Sequence, residues 1–189
     1  MKKWLLLPVL VLLVSPAVAW AAFKPERLLA PTLNGVSCPS QSICVDDAAR
    51  YARASQLYSQ ALQFVDANVG RLAERPRVVF CVTEACFQSF GFKRASGQTV
   101  GTLGIVISPH GWKPYYIRHE MIHYLQHERL GSLKCLLVTP RWFLEGMAYS
   151  LSQDPRPNLG TPWQQDRARF NVWYAKVGKQ NLWTAAARL

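Results

Sequence analysis

His119, Glu120 and His123 stand in the order His-Glu-Met-Ile-His. On a helix, residues four apart share a face and lie about 6 Å apart along the axis. Two imidazoles so placed can close on one metal ion, and Glu120, projecting beside them, can hold a water at the same point. A third donor is available downstream, in the run Trp142-Phe143-Leu144-Glu145-Gly146-Met147-Ala148, where Glu145 supplies a carboxylate. Three protein donors plus one position left to water is the arrangement of a catalytic zinc site, and its chemistry is hydrolysis. His127 extends the spacing by one more turn. It falls about 12 Å from His119 along a straight helix, too far to share an ion whose bonds to nitrogen are about 2 Å. It reads, with Gln126 and Glu128, as a polar end of the helix, and His110 precedes the helix near the expected cleft.

These side chains need two helices to position them. Pro114 suits the first turn of the helix that carries the histidines, which is expected to run to Leu130 and stop at Gly131. Pro140 similarly opens the helix that carries Glu145, and Gly146 and Ala148 are small enough to let that helix approach the first. Ahead of them, helical spacing of apolar residues predicts a long helix over 45–69, with Asp46 and Asp47 at its start. Arg77 to Val82 reads as a short strand, and Thr83 as the cap of a short helix over 84–90. Thr99 to Ser108 reads as a second strand, thinned by Gly101 and Gly104. A last helical region opens at Thr161-Pro162 and breaks near Gly178. The order implies an α+β fold in which a small mixed sheet supports a zinc-binding helical core.

The N-terminus reads as a secretory signal. Lys2 and Lys3 precede an apolar run, and Ala17-Val18-Ala19 is a small-x-small cleavage site. The alternative is an uncleaved anchor, since the run from Trp4 to Ala22 is nearly long enough to span a bilayer. The chain then divides into 1–19 signal, 20–44 irregular lead-in and 45–189 folded domain. Either reading takes the folded part out of the cytosol, to a periplasmic or secreted location. Export makes disulfides available to five cysteines: Cys38 with Cys44 and Cys81 with Cys86 are close enough in sequence to pair, leaving Cys135 free. The formal charge is +11, from 22 Lys and Arg against 11 Asp and Glu. Such a surface favours anionic partners, a membrane or a polymer of the cell envelope. No nucleic-acid motif is present, and none is expected as a partner.

His119-Glu120-x-x-His123 followed by Trp142-x-x-Glu145-Gly146-x-Ala148 resembles the gluzincin metallopeptidases, the thermolysin-like and aminopeptidase-like members of peptidase clan MA. The resemblance covers 119–148, about a sixth of the chain, and the rest would make this a minimal, single-domain form. It implies Zn2+ held by His119, His123 and Glu145, with Glu120 as general base. It implies a peptide or protein substrate lying along the strand just before the metal helix, at Gly101, Thr102, Leu103 and Gly104. It also implies a Tyr or His that stabilises the oxyanion, for which Tyr149, one turn after Glu145, is the first candidate and Tyr174 the second. The Gly-x-Met-Glu-Asn motif that grips a free amine in the aminopeptidases is missing, which favours an endopeptidase. Two other readings compete: an envelope protein that keeps the metal fold but only binds, through its basic, Trp-rich C-terminal part, and a zinc amidase acting on cell-wall amides.

Overall fold

The computed structural model describes residues 24–189, so the signal or anchor expected at the N-terminus lies outside the described residues. The fold is α+β. Its centre is a four-stranded mixed sheet of β1 (Ile43–Val45), β2 (Val78–Phe80), β3 (Gly97–Val100) and β4 (Gly104–Ile107), in the order β1-β2-β4-β3. The first three strands in that order are parallel, and β3 runs antiparallel at one edge, with Thr99 opposite Ile105.

The sheet is covered on both faces, which explains why its strands lack a polar side. Ile43, Val45, Val78, Phe80, Ile105 and Ile107 point into a large core shared with the long helices. The alternate residues Cys44, Val79 and Val106 point the other way, into a smaller core with Leu28, Phe87 and Phe90. On the large-core side lie α1 (Tyr51–Asn68) and α3 (Pro114–Leu130), which pack on each other. On the other side lie the N-terminal segment and α2 (Glu84–Ser89).

The back layer is small, and its ties are local. Six residues of α2 are too few to form a stable helix alone. Thr83 caps it by accepting from the Cys86 amide, a contact worth about 1 kcal/mol. Asp46 accepts from the Val82 and Thr83 amides, fastening the same turn to the end of β1. Disulfides Cys38–Cys44 and Cys81–Cys86 close two short loops in this layer, each stabilising by about 2 kcal/mol through the entropy of the unfolded chain. Cys135 is buried and free. Thiol counting on intact, unreduced protein should therefore find one free thiol; five would remove both bridges.

Several boundaries differ from the sequence reading. The 45–69 helix begins only at Tyr51, after a short 3-10 turn that Asp47 caps, and the chain ahead of it forms β1. The strand expected over 99–108 is a hairpin, β3 and β4, with Gly101, Thr102 and Leu103 in its turn. The loop after Gly131 contains a further short helix, α4 (Ser132–Leu137). Beyond it come α5 (Arg141–Leu151), α6 (Trp163–Val177) and α7 (Leu182–Ala186).

Candidate metal centre

Helix α3, which carries both histidines, runs from Pro114 to Leu130 as expected, with Pro114 at its first turn and Gly131 just past its end. Its inner face divides in two. Ile117, Met121, Ile122 and Leu125 are fully buried in the large core and fix the helix against the sheet. That contact turns His119, Glu120 and His123 toward the far edge of the sheet, where β3 lies.

Glu145 reaches the same point from α5. This helix packs on α3 but more extensively on α6. An aromatic seam locks α5 to α6: Phe143 lies 5.9 Å from Phe170 and 5.3 Å from Trp173, and Trp142 lies 6.0 Å from Trp173. Gly146 belongs to this seam. A Cβ on it would fall 2.3 Å from the Asp166 carbonyl oxygen and 2.7 Å from the Phe170 Cβ. The smallness of Gly146 therefore serves the approach of α6, not of the metal helix as the sequence suggested. Tyr174 is part of the same packing, stacked on Phe170 at 5.3 Å, and contributes nothing to the site. Trp142, Trp173 and Trp183 are half-buried against the large core, and Trp163 borders the cavity at the donors.

The three donors converge. His119 Nε2 and His123 Nε2 are 3.1 Å apart, and the Glu145 carboxylate oxygens lie 3.6 Å from each. Two donors at zinc–nitrogen distance and tetrahedral angle would be separated by about 3.3 Å, so the spacing fits one ion of that size. The donor set, two imidazoles and a carboxylate, suits zinc. Among the described residues these three form the one group of His, Cys, Asp and Glu close enough to hold a metal together.

The neighbours of these groups prepare them. His123 Nδ1 bonds to Gln126 Oε1 at 2.8 Å, and Gln126 Nε2 donates to the Leu144 carbonyl at 3.0 Å. A carbonyl oxygen can only accept, so Nδ1 carries a proton in either charge state, and in the neutral ring the lone pair is on Nε2, facing the centre. Gln126 is fully buried, and the polar helix end expected at 126–128 is corrected accordingly. Glu128 is also engaged, accepting from the Ala73 and Glu74 amides, and His127 is half-buried outside the cluster. Electrostatics couple the three donors. Burial disfavours charge on His123, but the Glu145 carboxylate, with Glu120 and Gln126, outweighs it and pushes the pKa up to about 9. Glu145 is likewise opposed by burial, yet His119 and His123 hold its carboxyl well below the usual range.

Glu120 sits beside the donors, buried beneath β3. The Thr99 hydroxyl lies 2.7 Å from its Oε2 and 2.9 Å from its backbone carbonyl. Gly97, two residues earlier and on the same face of the strand, lies over its stem: a Cβ there would fall 2.7 Å from Glu120 Cγ. Neither residue was read as part of the site, although the period-2 spacing of 97 and 99 on the strand before the metal helix is a usable signal. Tyr149 stacks edge-on against His119, 4.4 Å between centroids. Burial, reinforced by Glu145, pushes its pKa up to about 12, so the phenol stays a proton donor. Arg156 lies over the rings of Tyr116 and Tyr149 and pairs with the buried carboxylate of Asp154, which it lowers against the effect of burial. His110 lies on the surface, paired with Glu84.

Two cavities meet at the cluster. One, of about 470 Å³, is polar and is lined by Arg94, Gly97, Gln98, Tyr116, Tyr149, Arg156 and Trp163 around the donors and Glu120. The other, of about 560 Å³, is more apolar and is lined by Pro25, Phe92, Val100, Leu136 and Leu144. Gln98, His123 and Glu145 border both. The two cavities therefore continue along β3 on either side of the donors. Of the four residues expected to hold substrate, Gly101 borders the apolar cavity, while Thr102, Leu103 and Gly104 line neither; the strand residues beside the cluster are those of 97–100. The chain matches no family model, and comparison with curated proteins and with solved structures yields no match.

Proposed function

We propose that this chain is a zinc-dependent metallopeptidase, an endopeptidase acting on an extended segment of peptide or protein, and that it works outside the cytosol, where its disulfides persist. The observation that carries the reading is the convergence of His119, His123 and Glu145 to within 4.8 Å of one another, with Glu120 in the same cavity and a strand edge alongside. His119, His123 and Glu145 would hold the ion. Zinc so held polarises a scissile carbonyl and acidifies a water.

The rest falls to the protein. An extended peptide would pair with the outer edge of β3, whose inner edge is occupied by β4. Glu120 takes a proton from the attacking water and delivers it to the leaving amine. Its buried position and the Thr99 hydroxyl fix the carboxylate before substrate arrives. The Tyr149 hydroxyl donates to the carbonyl oxygen as negative charge grows there. Gln126 holds His123 in the tautomer this requires.

The test is zinc-dependent cleavage of an unstructured protein: loss of hydrolysis on chelation and recovery with zinc supports the reading. Release of fragments from wall polymer, with none from protein, would favour the amidase. Gly97 offers a finer check. Gly97→Ala would press on Glu120 Cγ and lie 3.0 Å from Ile107 Cδ1. It should cost about 1–3 kcal/mol of stability and about 10- to 100-fold in kcat through displacement of the carboxylate, with zinc content unchanged. Full activity in Gly97→Ala would show that Glu120 needs no such placement.

A further inference from the structure

We infer that the face carrying the mouth of the apolar cavity docks on an anionic lipid bilayer. Large apolar residues are concentrated there. Leu133, Leu136 and Leu137 share the outer side of α4, at 73, 78 and 73% exposure, and Val138 follows at 61%. Isolated exposed leucines are ordinary, but four large apolar side chains within six residues form a patch. The β3–β4 turn adds half-exposed Leu103: it lies against the start of α4, where a Cβ on Gly101 would be 3.1 Å from Ser132 Oγ.

A cationic rim adjoins this patch. Lys24, Lys93 and Arg94 are exposed and border a neighbouring cavity that has no carboxylate in its lining. None of the three forms an ion pair among the described residues. Pro25 borders both this cavity and the apolar one that Leu136 also lines, which joins the cations to the edge of the leucine patch. Charge complementarity therefore selects an anionic surface, and the leucines provide the insertion into it. No helix of the described residues is long and apolar enough to cross a membrane. Docking of this kind requires no turnover.

The test places an environment-sensitive fluorophore at Leu137→Cys, with a second protein labelled at Gln60→Cys on α1, which lines none of these cavities. Both are made in the full chain carrying Cys135→Ala, which removes the buried free thiol that borders the apolar cavity. On phosphatidylglycerol vesicles the label at 137 should shift to the blue and be quenched by brominated acyl chains, while that at 60 should do neither. Lys24→Glu with Lys93→Glu should weaken the shift about tenfold or more in lipid titration. A label at 137 that stays in water, an equal response at 60, or an equal response on phosphatidylcholine would overturn the inference. So would a concentration-dependent dimer abolished by Leu133→Asp with Leu137→Asp, since a second copy would then be the occupant.

Discussion

Glu120→Gln is expected to lower turnover by about two to four powers of ten, the usual worth of a positioned acid–base group, while leaving zinc content and fold intact. The substitution is nearly isosteric, and Glu120 is not one of the three converging donors. An amide can still accept from Thr99 through its oxygen, so the side chain keeps its place beneath β3. It cannot accept the water's proton. Zinc content, melting temperature and hydrolysis of an unstructured protein, measured together on both proteins, decide the matter. Equal rates would show that Glu120 is not the base and would return the binding-protein reading to the front.

Removing a donor should act differently. Glu145→Ala and His123→Ala are expected to lose stoichiometric zinc and, with it, all zinc-dependent activity, since each leaves two protein ligands where three are needed. Elemental analysis after dialysis checks this, and full zinc in either variant would reject the ligand assignment. The protonation of His123 adds a signature in the wild-type chain. With its pKa near 9, the imidazole is largely protonated at neutral pH, and that proton must leave before the nitrogen can bind zinc. Affinity should consequently fall about tenfold for each pH unit below about 9, with about one proton released per zinc bound near pH 7. Titration calorimetry in buffers of different ionisation enthalpy measures that release. Zinc affinity independent of pH between 6 and 8 would contradict the coupling between His123 and Glu145.

Much of this site was legible in the sequence because its geometry is local. His119 and His123 are tied by a single helical turn, and Pro114 and Gly131 mark the ends of that helix clearly. The disulfide pairs were legible for the same reason, since five or six residues separate each pair. What escaped was set by distant partners. Gln126 resembles any polar residue near a helix end until α5 brings the Leu144 carbonyl beside it. Gly146 points toward α6 rather than α3, a choice made by the aromatic seam and not by its own neighbours in sequence. Tyr149, one helical turn after Glu145, was legible as the tyrosine beside the donors, whereas the place of Tyr174 against Phe170 is set by the packing of α6. β1 is three residues long, too short for an alternating pattern to stand out, and it exists because β2 lies beside it. The hairpin turn at 101–103 was mistaken for thin strand because glycine serves both.

The open side of β3 has a second consequence. A strand edge that offers itself to a passing peptide offers itself equally to a neighbouring copy, and unguarded edges are where soluble proteins begin to aggregate. Here the exposure is kept short. β3 is four residues long, about 13 Å, with the charged Arg94 ahead of it and the hairpin turn immediately after it. A run of that length gives few backbone bonds to any guest, too few to nucleate a fibre. It also means that backbone pairing alone holds a guest weakly. If the guest is a peptide, as proposed, discrimination among sequences would fall to the unlike walls at either end, one cationic and aromatic, the other mainly apolar.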